Sequence, residues 1–316
     1  METLGHPSRE FCLSLTDLAA LLKAPAQEVL SDLQKTVGPL RTTAHLPPPL
    51  VRQYLASKGV RIPHLVISMQ MLKGGVAKTT SALNLGLRAS MYGAKVLFID
   101  MDQQANLTFA LGVEDENLPV WVDVVEKRKQ LEEVVIPIEP GIDLIPSSLN
   151  NSVLDRVLLT GSRNWSQSVK GPLASLKDRY DLIIIDTAPN LSAINTAVTC
   201  ASDRILLPVN PDKFSLLGVR KHLQDLQELK AEFHLDFTAQ VLFTRYDGRE
   251  AASREILAQC VTEFEDLLMK TYIRTSAEIK NSIGSAKTIF STKSNAKEDY
   301  DLVTREVLGL NDAIDI

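Results

Sequence analysis

Residues 73–80 constrain this chain more than any other stretch, because they place two lysines around a glycine pair between a strand pattern and a helix pattern. The stretch reads Lys-Gly-Gly-Val-Ala-Lys-Thr-Thr. Residues 64–70 before it form a short apolar segment, and residues 79–92 after it carry apolar side chains at helical spacing. A strand, a glycine loop and a helix in this order predict a phosphate-binding loop, because backbone N–H groups and a helix N-terminus attract phosphate oxygens.

Each residue of the loop has an expected role. Lys78 is expected against the β- and γ-phosphates of a nucleotide, and the Thr79 hydroxyl is expected to bind Mg²⁺. The general motif has glycine where this chain has Leu72 and Ala77, and a methyl group is tolerated there unless backbone torsions or a close phosphate exclude a Cβ. The predicted nucleotide-binding residues of the loop are Lys73, Gly74, Gly75, Val76, Ala77, Lys78, Thr79 and Thr80.

Two carboxylates follow the next predicted strand. The apolar run within 95–106 ends in Asp100-Met101-Asp102, so both acids project to the same side if the strand persists. Ligands of doubly wound sheets collect at the carboxyl ends of the strands, which predicts that both acids lie near the phosphates. The alternative is that one or both only cap the following turn.

A third apolar strand, within 180–186, ends in Asp186. An acid at the end of a buried strand in this kind of protein holds Mg²⁺ through water, which is the expectation for Asp186. The alternative is again a turn cap.

These motifs together resemble the ParA branch of the ParA/MinD ATPases, whose modified Walker A loop has an additional lysine at the position of Lys73. The resemblance covers about 64–310 and includes Pro208 followed by Leu216-Leu217-Gly218. It implies that Lys73 reaches across a dimer interface to the partner's ATP and that Asp102 orients the attacking water. It assigns Asp100 to the Mg²⁺ shell or a switch, and it places the adenine near 244–249, where the predicted cofactor-binding residues are Thr244 and Arg245.

From residue 64 onwards, predicted strands alternate with predicted helices, which indicates an α/β, doubly wound, mostly parallel sheet of the P-loop NTPase type. Residues 1–62 form a separate predicted unit, a small N-terminal helical domain, and 63–316 form the ATPase domain. Helices predicted over 16–23, 27–35 and 50–58 have the outline of a helix-turn-helix module. The second of them carries Glu28 and Asp32 against only Lys35, so operator binding and simple helical packing both remain open.

The net charge of −5 excludes a uniformly basic nucleic-acid binder, so any DNA contact requires a local basic patch. Between residues 267 and 297 the chain has six lysines or arginines and few acids, and the resemblance implies nonspecific DNA binding in this region. A solvated charged face is the alternative. The predicted DNA-binding residues are Arg249, Arg274, Lys280 and Lys287.

Composition predicts a cytoplasmic protein, the motifs predict a site for a nucleotide and Mg²⁺, and the resemblance implies a nucleoid-associated ATPase that uses ATP. Three scattered cysteines indicate a reduced compartment, and no apolar run approaches the roughly 20 residues of a membrane helix. The resemblance implies an ATP-dependent homodimer that binds nonspecific DNA, with a ParB-like centromere-binding protein as activator in chromosome or plasmid partition. The alternatives are positioning of a protein cargo and a transcriptional repressor with ATP as ligand. A MinD-like membrane cycle is disfavoured by the acidic residues near the C-terminus.

Overall fold

The computed structural model describes residues 8–160, 164–282, 288–291 and 293–310, without the side chains of 280–282. The strands are β1 (Leu13–Ser14), β2 (His45–Leu46), β3 (Leu65–Met69), β4 (Val96–Asp100), β5 (Ile136–Glu139), β6 (Ile142–Ile145), β7 (Leu182–Asp186), β8 (Arg204–Val209) and β9 (Thr238–Phe243). The helices are α1 (Leu15–Leu21), α2 (Ala26–Val37), α3 (Pro48–Ser57), α4 (Lys78–Met91), α5 (Asn106–Ala110), α6 (Trp121–Val125), α7 (Leu154–Thr160), α8 (Gln167–Leu173), α9 (Ala193–Ala201), α10 (Lys213–Glu232), α11 (Ala251–Glu263), α12 (Ala277–Ser282) and α13 (Asn295–Val307). Short 3₁₀ turns lie at Arg9–Phe11, Leu131–Glu133, Leu149–Val153 and Ile289–Ser291.

A seven-stranded sheet in the order β5-β6-β4-β7-β3-β8-β9 forms the centre of the molecule. All of its neighbouring strands are parallel except β5, which runs antiparallel to β6 at one edge. Every residue of β4 and β7 is buried, as expected for strands covered by helices on both faces. The predicted fold class, an α/β doubly wound and mostly parallel sheet, is therefore confirmed.

Helix α4 packs unusually close to the sheet because it has no side chain at Gly86. A Cβ built at this position would lie 2.3 Å from the Phe98 ring and 2.9 Å from Ile184 Cδ1. Glycine is therefore required for the close approach of α4 to β4 and β7. This contact fixes the helix whose first residue is Lys78.

The N-terminal residues form a small module of three helices and a two-stranded ribbon. The predicted helices are present with shifted bounds, as α1, α2 and α3, and the antiparallel ribbon of β1 and β2 was not predicted. Apolar side chains of the module belong to the same hydrophobic cluster as residues of α4 and α13. The domain boundary after residue 62 stays a prediction, but the module packs directly on the rest of the molecule.

Charged contacts add to this packing. Arg52 of α3 makes two hydrogen bonds to the Asp181 carboxylate, of 2.5 and 2.9 Å, and a third to the Gly93 carbonyl. Arg88, which is buried in α4, contacts Asp301 of α13 at 2.5 Å and Asp17 of α1 at 3.3 Å. The module is thus joined to the end of α4 that lies away from the glycine loop.

Several elements were not predicted, among them α6, α7 and α8, strand β5 and helix α13. Helix α13 begins at the end of the predicted basic run of residues 267–297 and continues beyond it to Val307. Its buried face instead carries Ala296, Tyr300 and Val303, which pack into the core. None of the helices in the described ranges combines the length and the apolarity that crossing a membrane requires.

Candidate active site

The carboxyl ends of three adjacent strands bring the predicted site residues together. Strand β7 lies between β3 and β4, and in its register Asp186 pairs with Met69 on one side and Asp100 on the other. The glycine loop leaves β3 at the same edge of the sheet. The two strand-terminal acids and the loop therefore share one site, as the parallel order of the strands requires.

Two backbone positions in the loop, separated by Val76, have the positive φ that favours glycine. Gly75 has φ of 72°, and Ala77 has φ of 74° at the N-cap of α4. The loop is held from outside by two polar side chains: Asn210 Nδ2 donates to the Gly75 carbonyl at 3.1 Å, and Thr244 Oγ1 contacts the Val76 carbonyl at 3.3 Å. The methyl group at Ala77 is thus accommodated, although its backbone lies in the left-handed region.

Lys78 and Asp186 lie in the buried part of the site with few partners. Lys78 is 7% exposed, and its ammonium has one hydrogen bond among the described residues, at 3.4 Å to the Lys73 carbonyl. Burial lowers the pKa of Lys78, while the nearby Asp186 and Asp102 oppose that shift. Asp186 Oδ2 accepts a 2.5 Å hydrogen bond from Thr79 Oγ1, but the buried Oδ1 has no hydrogen-bond partner among the described residues.

These groups fit a divalent cation and a phosphate. A hydroxyl and a carboxylate are the oxygen donors that Mg²⁺ prefers, and the orphaned Asp186 Oδ1 leaves room for a metal-bound water. Burial, together with the charge of Asp100, raises the pKa of Asp186 to about 8. A bound cation would offset this unfavourable concentration of negative charge.

Asp100 and Asp102 differ in their contacts. Asp100 is fully buried and accepts hydrogen bonds from the backbone N–H and the hydroxyl of Thr108 and from the Asp102 N–H, so it holds the turn into α5. Burial raises its pKa to about 6. Strand β4 ends at Asp100, so Asp102 lies in the following turn, 7% exposed, and accepts from the Gln104 N–H.

The Lys73 ammonium pairs with residues at the start of α10. It lies 2.7 Å from Asp212 Oδ1 and 3.2 Å from Ser215 Oγ. Asp212 is also the N-cap of that helix and accepts from the Ser215 N–H. Sequence reasoning missed Asp212 and Asn210, although both belong to a polar segment that directly follows strand β8, at the same edge as the other site residues.

The two residues expected near the adenine have different surroundings. Thr244 is fully buried, and its hydroxyl contacts the Val76 and Val209 carbonyls and Asn210 Oδ1, so it supports the glycine loop from behind. Arg245 is exposed, with φ of 56°. Contact of either residue with a base stays a prediction.

Two of the four predicted DNA-binding residues, Arg249 and Arg274, have described side chains. Arg249 is 88% exposed but pairs with Asp247 through two hydrogen bonds. Arg274 binds Asp299 at 2.6 Å and Glu298 at 3.1 Å, and so ties the segment before α12 to α13. Lys280 lies in α12 with its side chain outside the described part of the structure, and Lys287 lies outside the described residues. Their role in DNA binding stays a prediction, and the paired carboxylates reduce the charge available at both arginines.

A mostly parallel sheet with a glycine loop, a buried lysine, a hydroxyl and strand-terminal acids at one edge defines a P-loop NTPase. Comparison with known proteins narrows the class. A family model described as an AAA domain matches residues 64–239. A ParA family protein of Chlamydia trachomatis is 34% identical over 253 residues, covering 77% of this chain and 97% of that protein.

Two further similarities agree with this match. The chromosome-partitioning ATPase Soj of Treponema pallidum is 28% identical over 241 residues, covering 75% of this chain and 94% of Soj. Among solved structures, an ATP complex of a McdA variant from Cyanothece has a TM-score of 0.72 at 25% identity, covering 79% of this chain and 98% of that one. The chain belongs to the ParA family of P-loop ATPases.

Proposed function

We propose that this protein is an ATPase that binds Mg·ATP, dimerises in its presence, binds DNA without sequence preference and acts in chromosome or plasmid partition. The observation that carries the proposal is the division between the two lysines of one loop. Lys78 is buried beside Asp186, whereas the side chain of Lys73 is 36% exposed and bound to Asp212. One lysine serves the chain's own nucleotide, and the other is available to a second copy.

Nucleotide binding follows from the loop. The N–H groups of residues 74–79 and the N-terminus of α4 surround the phosphates, and Lys78 compensates their charge. Thr79 and Asp186 are the residues that would hold Mg²⁺, which when bound neutralises charge on the β- and γ-phosphate oxygens. The McdA relative was solved with ATP, which supports ATP as the ligand here.

Hydrolysis requires a group that orients water beside the γ-phosphate. Asp102 is the best candidate, because Asp100 is already committed to three hydrogen bonds that hold the turn before α5. Asp102 lies in that turn, and its carboxylate retains capacity to accept from water. We assign Asp100 to the positioning of this turn and Asp102 to the water.

In a dimer, Lys73 would exchange its contact with Asp212 for a contact with the nucleotide of the partner subunit. To reach the nucleotide of a partner subunit, Lys73 must leave Asp212, and a partner's phosphate would replace the carboxylate as its counterion. Exposed apolar side chains of the same region, Phe214 and Leu217 at the start of α10, are 79% and 58% accessible and would be covered in such a dimer.

Nonspecific DNA and a ParB-like centromere-binding protein complete the proposal, with the protein in the cytoplasm on the nucleoid. The DNA surface would include Arg249 and the basic residues between 270 and 297. Because each arginine is partly neutralised, a single subunit presents little net positive charge, and a dimer that doubles the contacts would bind far better.

The test compares wild type with Lys73→Ala and Asp102→Ala. Light scattering should give an ATP-dependent dimer for wild type, a persistent dimer without turnover for Asp102→Ala, and an ATP-bound monomer for Lys73→Ala. Binding to random duplexes should require ATP and fall with salt by a slope of about 0.9 per phosphate contact. A Lys73→Ala dimer, or wild-type turnover by Asp102→Ala, would contradict the corresponding assignment.

The second candidate function is ParA-like positioning of a protein cargo. Both candidates share the ATP and DNA behaviour, so the partner decides between them. A centromere-binding protein that stimulates turnover supports partition, whereas stimulation only by a cargo-bound protein supports the second candidate. The repressor alternative has little support, because Asp32 on α2 is bound to Lys35 and Lys58 and that helix offers few free cations.

A further inference from the structure

A cluster of buried polar side chains lies directly behind the glycine loop, where strand β3 meets helices α9 and α10. Gln70, the residue after β3, is at its centre and is 2% exposed. The other members are equally enclosed, at 7% exposure or less. They are Ser68, Thr199, Ser202 and His222.

Gln70 bonds to both helices at once. Its Nε2 donates to Ser68 Oγ at 2.9 Å, and its Oε1 accepts from Thr199 Oγ1 of α9 at 3.1 Å. His222 Nε2 of α10 lies 3.3 Å from the same Oε1. Burial lowers the pKa of His222 to about 4, so the ring is neutral near pH 7 and Nε2–H is the donor.

The two helices tied by Gln70 carry the two sides of the active site. At the start of α9, Asn195 Nδ2 donates to the carbonyls of Ala188 and Asn190, in the loop that follows Asp186. At the start of α10, Asp212 holds Lys73. A shift of either helix against β3 would therefore move the Asp186 loop or the Lys73 contact relative to the phosphates.

Polar residues are a costly choice for this position. Buried amides, hydroxyls and imidazoles lose hydration, and an apolar cluster of the same shape would stabilise the fold at least as well. One group remains unsatisfied, because His222 Nδ1 has no hydrogen-bond partner among the described residues. Hydrogen bonds fix a direction and a distance, whereas apolar contacts allow sliding, so this cluster defines the placement of α9 and α10 more sharply.

We propose that Gln70 is a positioning residue of the active site, which fixes α9 and α10, and through them the Asp186 loop and the Lys73–Asp212 pair, against the strand that enters the glycine loop. The inference rests on the proposed ATPase function. Gln70 does not touch the nucleotide site itself, so its loss should affect turnover and dimerisation more than ATP affinity.

The experiment replaces Gln70 with a side chain of similar length that cannot bond. Gln70→Met should lower kcat and the ATP-dependent dimer fraction by about tenfold or more, because small misplacements of reacting groups are costly. KM for ATP should change by less than about threefold, because the loop contacts remain. Thr304→Val is the matched control, since it removes a buried hydroxyl whose bond stays within α13, and it should leave all three quantities at the wild-type values.

Two further variants separate positioning from simple stability. His222→Gln keeps an N–H donor near the position of Nε2 and should restore most of the kcat that His222→Leu loses. An apolar version of the cluster, with Ser68→Ala, Gln70→Met, Thr199→Val and His222→Leu, should fold and bind ATP but turn over slowly, which keeps the test decisive if Gln70→Met unfolds.

The possible failures are distinguishable. A wild-type protein without ATP turnover or ATP-dependent dimer would overturn the proposed function. A wild type that shows both, together with a Gln70→Met variant or an apolar cluster of unchanged kcat and dimer fraction, would overturn only the positioning role of Gln70.

Discussion

The two ends of helix α4 both carry buried cations, and they differ in how completely those cations are paired. Within the described part of the chain, the Lys78 ammonium at the N-terminal end has one long hydrogen bond, to a carbonyl, and the adjacent Asp186 has an oxygen without a hydrogen-bond partner. At the C-terminal end, the Arg88 guanidinium contacts Asp301 and Asp17 and lies 5.1 Å from the Tyr92 ring centroid.

The difference separates a ligand site from a structural joint. Buried polar groups are normally satisfied within the protein, so a set of incompletely satisfied groups marks a place where a ligand completes the contacts. The fully paired cation marks a place where three elements, α1, α4 and α13, are held together. A single helix therefore links the phosphate site to the N-terminal module.

The largest expected effect is on stability, at the Arg88 contacts that hold α1, α4 and α13 together. Arg88→Ala should lower the free energy of unfolding by about 3 kcal/mol, because it breaks buried contacts to Asp301 and Asp17. The remaining contacts of Asp301 with Arg305 and of Asp17 with Lys297 keep the cost at the lower end of the range for a broken buried pair. Urea unfolding measures the change. Arg128→Ala is the matched control: this arginine also contacts a carboxylate, at 2.8 Å to Asp123, but it is 55% exposed, so the cost should stay below about 1 kcal/mol. If the two variants lose the same free energy of unfolding, the buried Arg88 contacts are no more stabilising than an exposed ion pair, and the interpretation of Arg88 as a structural contact is wrong.

The second largest effect is expected at the phosphate site, where a substitution should weaken ligand binding without lowering the stability of the protein. Lys78→Met should weaken Mg·ATP binding by about 100-fold, because a charge-assisted contact to phosphate is lost. Without nucleotide the variant should be at least as stable as wild type, since burial disfavours the charged lysine and lowers its pKa. Titration and thermal unfolding measure the two quantities. Lys230→Met, at a lysine bonded to the Phe237 carbonyl away from the site, should bind ATP normally. A destabilised Lys78→Met variant would show that Lys78 is structural.

A third prediction concerns the body of the same helix. Gly86→Ala should destabilise the fold by about 2 kcal/mol, because its Cβ overlaps the Phe98 ring and the core must shift. Gly171→Ala in α8 provides the comparison, since a Cβ there meets no atom within 4 Å and should be neutral or slightly stabilising. Thermal unfolding of both variants checks the difference. A tolerated Gly86→Ala would mean that α4 can move away from the sheet.

The sequence predicted the phosphate site at the N-terminus of α4, but it did not predict the Arg88 contacts at the C-terminus of this helix. The reason is physical. The glycine loop, Asp100 and Asp186 are each local signals at the end of an apolar strand, so their shared edge follows from the parallel sheet alone. The contact of Arg88 with Asp301 joins residues more than 200 positions apart, and no local pattern indicates it. Helix α13 was missed because its charged residues dominate the sequence, although Asp299 and Asp301 are buried.

Within the site, the same limit applies to Lys73. The sequence motif shows that Lys73 belongs to the loop, but it does not indicate that Asp212 is its partner. That contact depends on where α10 begins relative to the loop. Likewise, the orientation of Asp102 depended on whether β4 continued past Asp100. The strand ends there, so simple alternation no longer decides the direction of Asp102.

The smallest expected effect tests whether the ligand end of α4 is strained. Ala77 has φ of 74°, in the left-handed region that costs a residue with a Cβ about 1–2 kcal/mol, while glycine loses about 0.5–1 kcal/mol through its greater freedom in the unfolded chain. Ala77→Gly should therefore stabilise the protein by about 0.5 kcal/mol. Gly75→Ala, at φ of 72°, provides the reverse change and should destabilise it. Thermal unfolding without nucleotide measures both, and a titration with Mg·ATP follows. If Ala77→Gly loses stability instead, contacts of the Ala77 methyl group outweigh the backbone strain, and the alanine contributes to holding the loop.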